Sequence, residues 1–146
     1  MGDKKKKVMI FLLRVAMGWL MLYAGIIKIT DPKWSAKGYL LSAKTFSGFY
    51  QWLASDSILP VANFFNEWGP VLIGVSLIVG LWVKISSLSG ALLMILYYFP
   101  ILVFPYAGEH SYIVDEHIIY ILVFILFFAL NAGRHWGLDS YRLSRK

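Results

Sequence analysis

The chain has 146 residues, of which 59% are hydrophobic and 15% are charged, and its mean hydropathy is +0.65. Soluble domains are nearer half apolar and a quarter charged, so this composition predicts a protein that lies in lipid. The chain contains no cysteine, which excludes disulfides, thiolate nucleophiles, iron–sulfur clusters and thiolate zinc sites. The net charge of +6 does not indicate nucleic-acid binding, because the basic residues gather at the ends of apolar segments.

A helix needs about 20 apolar residues to cross the hydrocarbon core of a bilayer. The sequence predicts four such spans, over about 8–30, 60–84, 86–106 and 114–134. Only the polar residues at 84–87 separate the second span from the third, so these two are predicted to be antiparallel neighbours. The predicted fold is one domain over residues 1–146, an all-α four-helix transmembrane bundle.

Basic residues predict the orientation of the bundle. Four lysines at 4–7 precede the first span, while Arg142, Arg145 and Lys146 follow the last one. The first apolar stretch is too long for a signal peptide and is not followed by a cleavage site. We therefore expect a multi-pass membrane protein with both termini in the cytoplasm.

An amphipathic segment is predicted between the first and second spans. Tyr39, Ala43, Phe46, Tyr50 and Leu53 recur at helical spacing, with polar residues on the other faces. Such a segment lies in the membrane interface, either as an anchor or as a lid over a site.

Ionisable residues inside a span usually face a partner or a cavity. Arg14 and Lys28 share one stripe of the first helix with Gly18 and Gly25, where another helix or a flat ligand can approach the backbone. Each cation either snorkels to the nearer interface or binds an anionic or quinone-carbonyl group. Glu67 at the mouth of the second span either favours the helix dipole or serves as a proton acceptor or ion-pair partner of Lys28.

The fourth span opens with Asp115, Glu116 and His117, the densest ionisable cluster near any span. The helix dipole explains one carboxylate, but two of them beside an imidazole are typical of acid–base sites. These three residues are therefore the predicted catalytic groups. Tyr120 and Asn131 share the helical face of His117, together with Phe124 and Phe128, and this face suits a ring-shaped ligand.

No metal site is predicted. Haem is disfavoured as a cofactor, because His135 lies eighteen residues after His117, about 27 Å along a helix, and the two cannot ligate one haem. Only His110 remains as a second ligand, and it would have to fold back.

At these residues the chain resembles the DoxX/DoxD family of small four-helix membrane proteins. Residues 14–28 read R-x3-G-W-x3-Y-A-G-x2-K. The further matches, in order, are D-P-x-W at 31–34, K-G-Y-L at 37–40, N-x-W-G at 66–69, Gly74, Gly80, V-D-E-H-I at 114–118, A-G-R at 132–134 and G-L-D at 137–139. The resemblance implies a membrane subunit linked to quinone-dependent sulfur oxidation. The DoxD-like branch is associated with thiosulfate:quinone oxidoreductase, and other DoxX-like proteins are membrane partners in oxidative-stress complexes.

The leading hypothesis is a subunit of a quinone-linked oxidoreductase in a prokaryotic plasma membrane, which binds quinone, as a substrate, near the outer leaflet. The residues predicted to bind the quinone are Lys28, Glu67, Tyr120, Asn131 and Arg14. Lys28, Lys33 and Lys37 are expected to attract an anionic reductant such as thiosulfate. The expected partners are membrane lipid, quinone, and a second subunit or a second copy of the chain, without nucleic acid.

Two alternatives remain open at this point. The chain could be a non-catalytic assembly subunit that docks a redox partner through the helix faces of Gly18, Gly25, Gly74 and Gly80. It could also be a small transporter with Arg14 and Glu67 as coupling groups.

Overall fold

The structure is a computed structural model that describes residues 2–143 of the chain. Its elements in chain order are α1 (Asp3–Thr30), α2 (Lys37–Leu41), α3 (Ser47–Leu53), α4 (Leu59–Val79), α5 (Val83–Ile101), β1 (Leu102–Val103), β2 (Tyr106–Ala107), α6 (Glu116–Ala129), a 3-10 turn (Ala132–Arg134) and α7 (Leu138–Leu143). Arg145 and Lys146, which belong to the predicted basic cluster after the last span, lie outside the described residues.

The long helices confirm the prediction of an all-α membrane bundle. Within residues 2–143, α1, α4 and α5 are long and apolar enough to cross a membrane. Helix α6 is equally apolar but has only 14 residues, about 21 Å of rise, and is shorter than a hydrocarbon core of about 30 Å. The helix predicted over 114–134 therefore ends early, because Asn131 adopts a left-handed conformation with φ 50° and the chain continues as a 3-10 turn.

The turn between the second and third spans also differs from the prediction. Helix α4 ends at Gly80, which has φ 75°, a conformation that glycine adopts without the steric cost of a side chain. Helix α5 begins at Val83, so Lys84 and the serines at 86 and 87 lie in its first turns and not in the turn. At its other end, α5 stops at Ile101 and the chain forms the β1–β2 hairpin, where a helix was predicted to continue to 106.

Glycine allows α1 and α4 to pack backbone against backbone. A Cβ on Gly74 would lie 2.5 Å from the backbone nitrogen of Leu22, and one on Gly18 would lie 3.0 Å from the carbonyl oxygen of Gly74. A Cβ on Gly25 would similarly lie 2.9 Å from the carbonyl oxygen of Glu67. These glycines form an interface within the chain, so they do not supply the partner-docking face that the assembly-subunit hypothesis required.

The four long helices form two close pairs, α1 with α4 and α5 with α6, which share one apolar core. In the second pair, the ring of Phe124 lies directly over Gly90 and is fully buried. Leu77 and Phe127 are also fully buried at the centre of this core. The core therefore fixes the rotation of each helix, which decides which polar side chains meet at the two ends.

The two ends of the bundle are unlike. We call the end that carries the start of α1, the turn at 80–82 and residues 132–143 the terminal end, and the other end, with residues 31–58 and 102–115, the loop end. At the terminal end the carboxylate of Asp139 accepts hydrogen bonds from the N–H groups of Trp82 (2.9 Å) and Val83 (3.1 Å). It thereby caps α5.

Residues 31–58, which we call the cap segment, fold across the loop end. The predicted amphipathic segment is present as two short helices, because the chain turns at Phe46, which has φ 54°. Tyr50 is 2% exposed and its hydroxyl donates to the carbonyl oxygen of Leu96 at 2.9 Å, while Leu40 and Ala43 are also buried. Because these side chains pack on α4 and α5, the segment is joined to the bundle and covers its loop end.

Candidate functional site

Tyr97 joins three helices at the loop end. Its hydroxyl donates to Oδ1 of Asn66 on α4 at 2.7 Å and accepts a hydrogen bond from Nζ of Lys28 on α1 at 3.1 Å. The Lys28 ammonium also donates to the carbonyl oxygen of Asn66 at 3.2 Å. The residues come from distant parts of the sequence, so the helix packing described above assembles this cluster.

The ammonium of Lys28 lies between two aromatic rings. Its Nζ is 5.2 Å from the ring centroid of Trp34 and 5.0 Å from that of Tyr97, within the range of a cation–π interaction. An ammonium has three N–H donors, and two of them are used within the described residues, so one is left for a ligand. Glu67 interacts electrostatically with Lys28, but the direct partners of the ammonium are Asn66 and Tyr97 and not the predicted carboxylate.

Asp115 and His117 form a close pair at the start of α6. Nδ1 of His117 lies 2.6 Å from Oδ2 of Asp115, and the side chains are 17% and 7% exposed. The other carboxylate oxygen accepts the N–H groups of His117 (3.0 Å) and Ile118 (3.2 Å), as an N-cap residue does. Since Nδ1 is bound to Asp115, Nε2 is the ring nitrogen left to exchange a proton with a ligand.

The pair is adjacent to the Tyr97 cluster. The rings of His117 and Tyr97 meet edge to face, with centroids 6.3 Å apart. The Glu116 side chain is exposed, and its carboxylate makes no hydrogen bond or ion pair with any described residue. Only one of the two predicted carboxylates therefore contacts the imidazole.

The cap segment contributes Tyr39, whose hydroxyl donates to the carbonyl oxygen of Tyr97. Burial, with smaller contributions from Tyr50 and Asp115, raises the pKa of Tyr39 to about 12, so this hydroxyl stays protonated at physiological pH. A cavity of about 50 Å³ lies between the cap segment and the ends of α4 and α5, lined in part by Tyr39, Tyr50, Asn66 and Tyr97. It has room for a few water molecules.

Arg14 lies far from this cluster, fourteen residues before Lys28 on α1, or about 21 Å. It is fully buried at the terminal end, where Nη1 donates to the carbonyl oxygen of Ala132 at 2.9 Å and Nη2 to that of Trp136 at 3.4 Å. The ring centroid of Phe11 lies 5.4 Å from Cζ of the Arg14 guanidinium. Arg14 therefore does not snorkel, and it lies too far from Lys28 to bind the same quinone ring.

The predicted ligand face of α6 is also corrected. Asn131 lies at the terminal end, in the left-handed residue after α6, and Phe124 is fully buried in the core. Tyr120 packs against that core and is only partly exposed. The structure thus brings together Lys28, Asp115 and His117 of the predicted residues, and adds Tyr97, Asn66 and Tyr39.

Sequence reasoning missed Tyr97 because it lies within an apolar run and carries no motif. Asn66 was noticed only as part of N-x-W-G, and Tyr39 only for its helical spacing. Within residues 2–143 there is no group of three or more histidine or acidic side chains that could hold a metal ion.

The sequence model of the DoxX family matches residues 9–102. The match covers α1 to α5 and so includes Lys28, Asn66 and Tyr97, whereas Asp115 and His117 follow it. No curated protein and no solved structure matches the chain significantly. Because the match extends over more than half of the sequence, this multi-pass membrane protein belongs to the DoxX family.

Proposed function

We propose that the chain is the membrane subunit of a quinone-linked oxidoreductase and that its loop end binds the quinone ring. The observation that carries this proposal is the convergence of Lys28, Tyr97 and His117, from three helices, at one end of a membrane bundle. Ionisable groups at such a depth are expected to serve a ligand or a proton path. An aromatic environment around them also favours a flat ring.

The chemistry of a quinone fits these groups. A quinone has two carbonyl oxygens that accept hydrogen bonds, and it takes up two electrons and two protons to become the quinol. Lys28 has an N–H that no described residue uses, and His117 presents Nε2. Asp115 holds the imidazole in place, so His117 can donate a proton from Nε2 to a quinone that has taken up electrons.

The access route follows from the size of the cavity. A cavity of about 50 Å³ beside Tyr97 holds water rather than a quinone ring. The ring therefore reaches Lys28 and His117 from the bilayer, or the cap segment moves aside. In either case Tyr39, which is hydrogen-bonded to Tyr97, borders the ring.

The charges at the loop end bear on the electron donor. Of the lysines expected to attract an anionic reductant, Lys28 is held between aromatic rings and Lys37 pairs with Asp56 at 3.0 Å. Acidic residues, among them Glu109 and Glu116, are exposed at the same end. We therefore propose that a thiosulfate-like donor delivers its electrons through a partner subunit. In this proposal the terminal end, which carries the basic residues, faces the cytoplasm.

Binding of a short-tailed quinone to the purified chain tests the site. We expect His117→Ala to weaken binding at least tenfold, while His110→Ala, a change at a side chain that is 93% exposed, leaves it unchanged. Equal affinity of both variants would overturn the proposed site. Quinone reduction by thiosulfate in membranes with and without the chain tests the oxidoreductase role separately.

A further inference from the structure

A polar cavity of about 330 Å³ opens at the terminal end, between the start of α5 and residues 131–142. Three exposed basic side chains line it, those of Lys84, Arg134 and Arg142. Asp139 also lines it, but its carboxylate already accepts the N–H groups of Trp82 and Val83. The cavity is therefore positively charged, and it lies at the ends of the helices α4 and α5, which are long enough to cross a membrane.

An apolar groove of about 550 Å³ adjoins this cavity and runs along α4 and α5. Its walls on α4 extend from Phe65 to Val79, which is about 21 Å of helix rise. Trp82 and Ile85 line both the cavity and the groove, so the two spaces are adjacent. The guanidinium of Arg142 lies 5.7 Å from the ring centroid of Trp82, where the two spaces meet.

We propose that the cavity and the adjacent groove together bind one anionic phospholipid, which passes over Trp82 and Ile85 from one to the other. The phosphate of the headgroup lies among Lys84, Arg134 and Arg142, and an acyl chain lies in the groove beyond Trp82 and Ile85. Each half selects against another ligand, because a free phosphate uses only the cavity, and a zwitterionic lipid brings its phosphate together with a quaternary ammonium that the three cations repel. Helices α4 and α5 contact each other less closely than the pairs α1–α4 and α5–α6, so the acyl chain fills a gap between them.

Native mass spectrometry of the full chain in neutral detergent tests the headgroup half, with phosphatidylglycerol, phosphatidylcholine and inorganic phosphate as probes. We expect one phosphatidylglycerol to stay bound and phosphatidylcholine to dissociate. The double variant Arg134→Gln and Arg142→Gln should bind phosphatidylglycerol on the order of thirtyfold more weakly, since each cation near a lipid surface contributes about a factor of five. The matched control is Lys4→Gln with Lys6→Gln, which removes the same charge at the same end but outside the cavity, and it should bind normally.

A second pair of variants tests the groove. Ser89 is exposed and lines the groove, so Ser89→Trp should fill it and abolish retention of phosphatidylglycerol. Leu92→Trp places the same ring on an exposed position of α5 outside the groove and should have no effect. Unchanged lipid binding in the arginine variant or in Ser89→Trp would overturn the proposal. So would retention of inorganic phosphate without the lipid, which would identify a site for a free anion.

Discussion

Nδ1 of His117 lies 2.6 Å from Oδ2 of Asp115, and the same carboxylate caps α6 through the N–H groups of His117 and Ile118. One aspartate therefore both begins the helix and orients the imidazole that the helix carries. The sequence pattern D-E-H allows either role, and the geometry combines them. The two roles can be separated by choosing the substitution.

Asp115→Asn should keep the cap and lose the charge. Asparagine is as good an N-cap residue as aspartate, so the free energy of unfolding should change by less than about 0.5 kcal/mol. The neutral amide holds the imidazole less firmly than the carboxylate does, so quinone reduction should fall roughly tenfold to a hundredfold. Turnover and thermal unfolding in one detergent measure both effects. Full turnover in this variant would mean that the carboxylate serves only as a cap, and Asp115→Ala, which removes the cap, should cost about 1 kcal/mol of stability.

Tyr97→Phe removes the hydroxyl that links Lys28 to Asn66. Two hydrogen bonds are lost and the partly buried ammonium keeps one partner, so we expect a destabilisation of about 1–2 kcal/mol. Quinone binding should weaken as well, because Lys28 is no longer held in place. Tyr106→Phe, at a ring that is 58% exposed on the hairpin, is the control for loss of a tyrosine hydroxyl. Chemical unfolding and quinone titration of the two variants would contradict the assignment if they gave equal results.

These residues show what could be predicted from the sequence. Long apolar segments identify spans directly, and an aspartate immediately before an apolar helix is a recognisable N-cap. The fold class and a structural role for Asp115 were therefore predictable. Tyr97 was not, because its partners lie 69 and 31 residues away and meet it only after α1, α4 and α5 have packed. Arg14 was misread for a related reason: its acceptors are the backbone carbonyls of Ala132 and Trp136, and a backbone acceptor has no sequence signature.

Gly74→Ala should separate α1 from α4. The added Cβ would lie 2.5 Å from the backbone nitrogen of Leu22, and a backbone cannot yield as a flexible side chain does. We expect a loss of about 3 kcal/mol or failure to purify as a folded protein. Gly69→Ala is the matched control on the same helix, because a Cβ there has no neighbour within 4 Å. It should lose much less stability than Gly74→Ala, because only the following Pro70 disfavours a Cβ at this helical position, and an equal loss in both variants would contradict the packing.

Tyr39 should give the protein a loss of stability at high pH. Because its pKa in the folded state, about 12, lies above the ordinary value of 10.0, folding favours the protonated phenol. This contribution to stability is complete below pH 10 and is lost as the pH rises from about 10 to 12. Ultraviolet titration should therefore show one fewer late-titrating tyrosine in Tyr39→Phe than in the native chain. A variant with the same stability slope as the native chain between pH 10 and 12 would show that the Tyr39 hydroxyl is not held against Tyr97.

Arg14→Met should destabilise the terminal end without affecting the loop end. The buried guanidinium donates to two carbonyl oxygens that follow α6, and removing it leaves the buried oxygen of Ala132 without that partner, at a cost of about 2 kcal/mol. Nε of Arg14 has no partner within the described residues, so the arginine itself carries a desolvation cost that offsets part of its contribution. The stability of Arg14→Lys should rank between those of the native chain and Arg14→Met, because an ammonium on a shorter side chain reaches at most one of the carbonyls.

Quinone affinity should be unchanged in both variants, since Lys28 is about 21 Å away along α1. Unfolding in denaturant measures the first effect, and a fall in quinone affinity without a fall in stability would place Arg14 in the site after all.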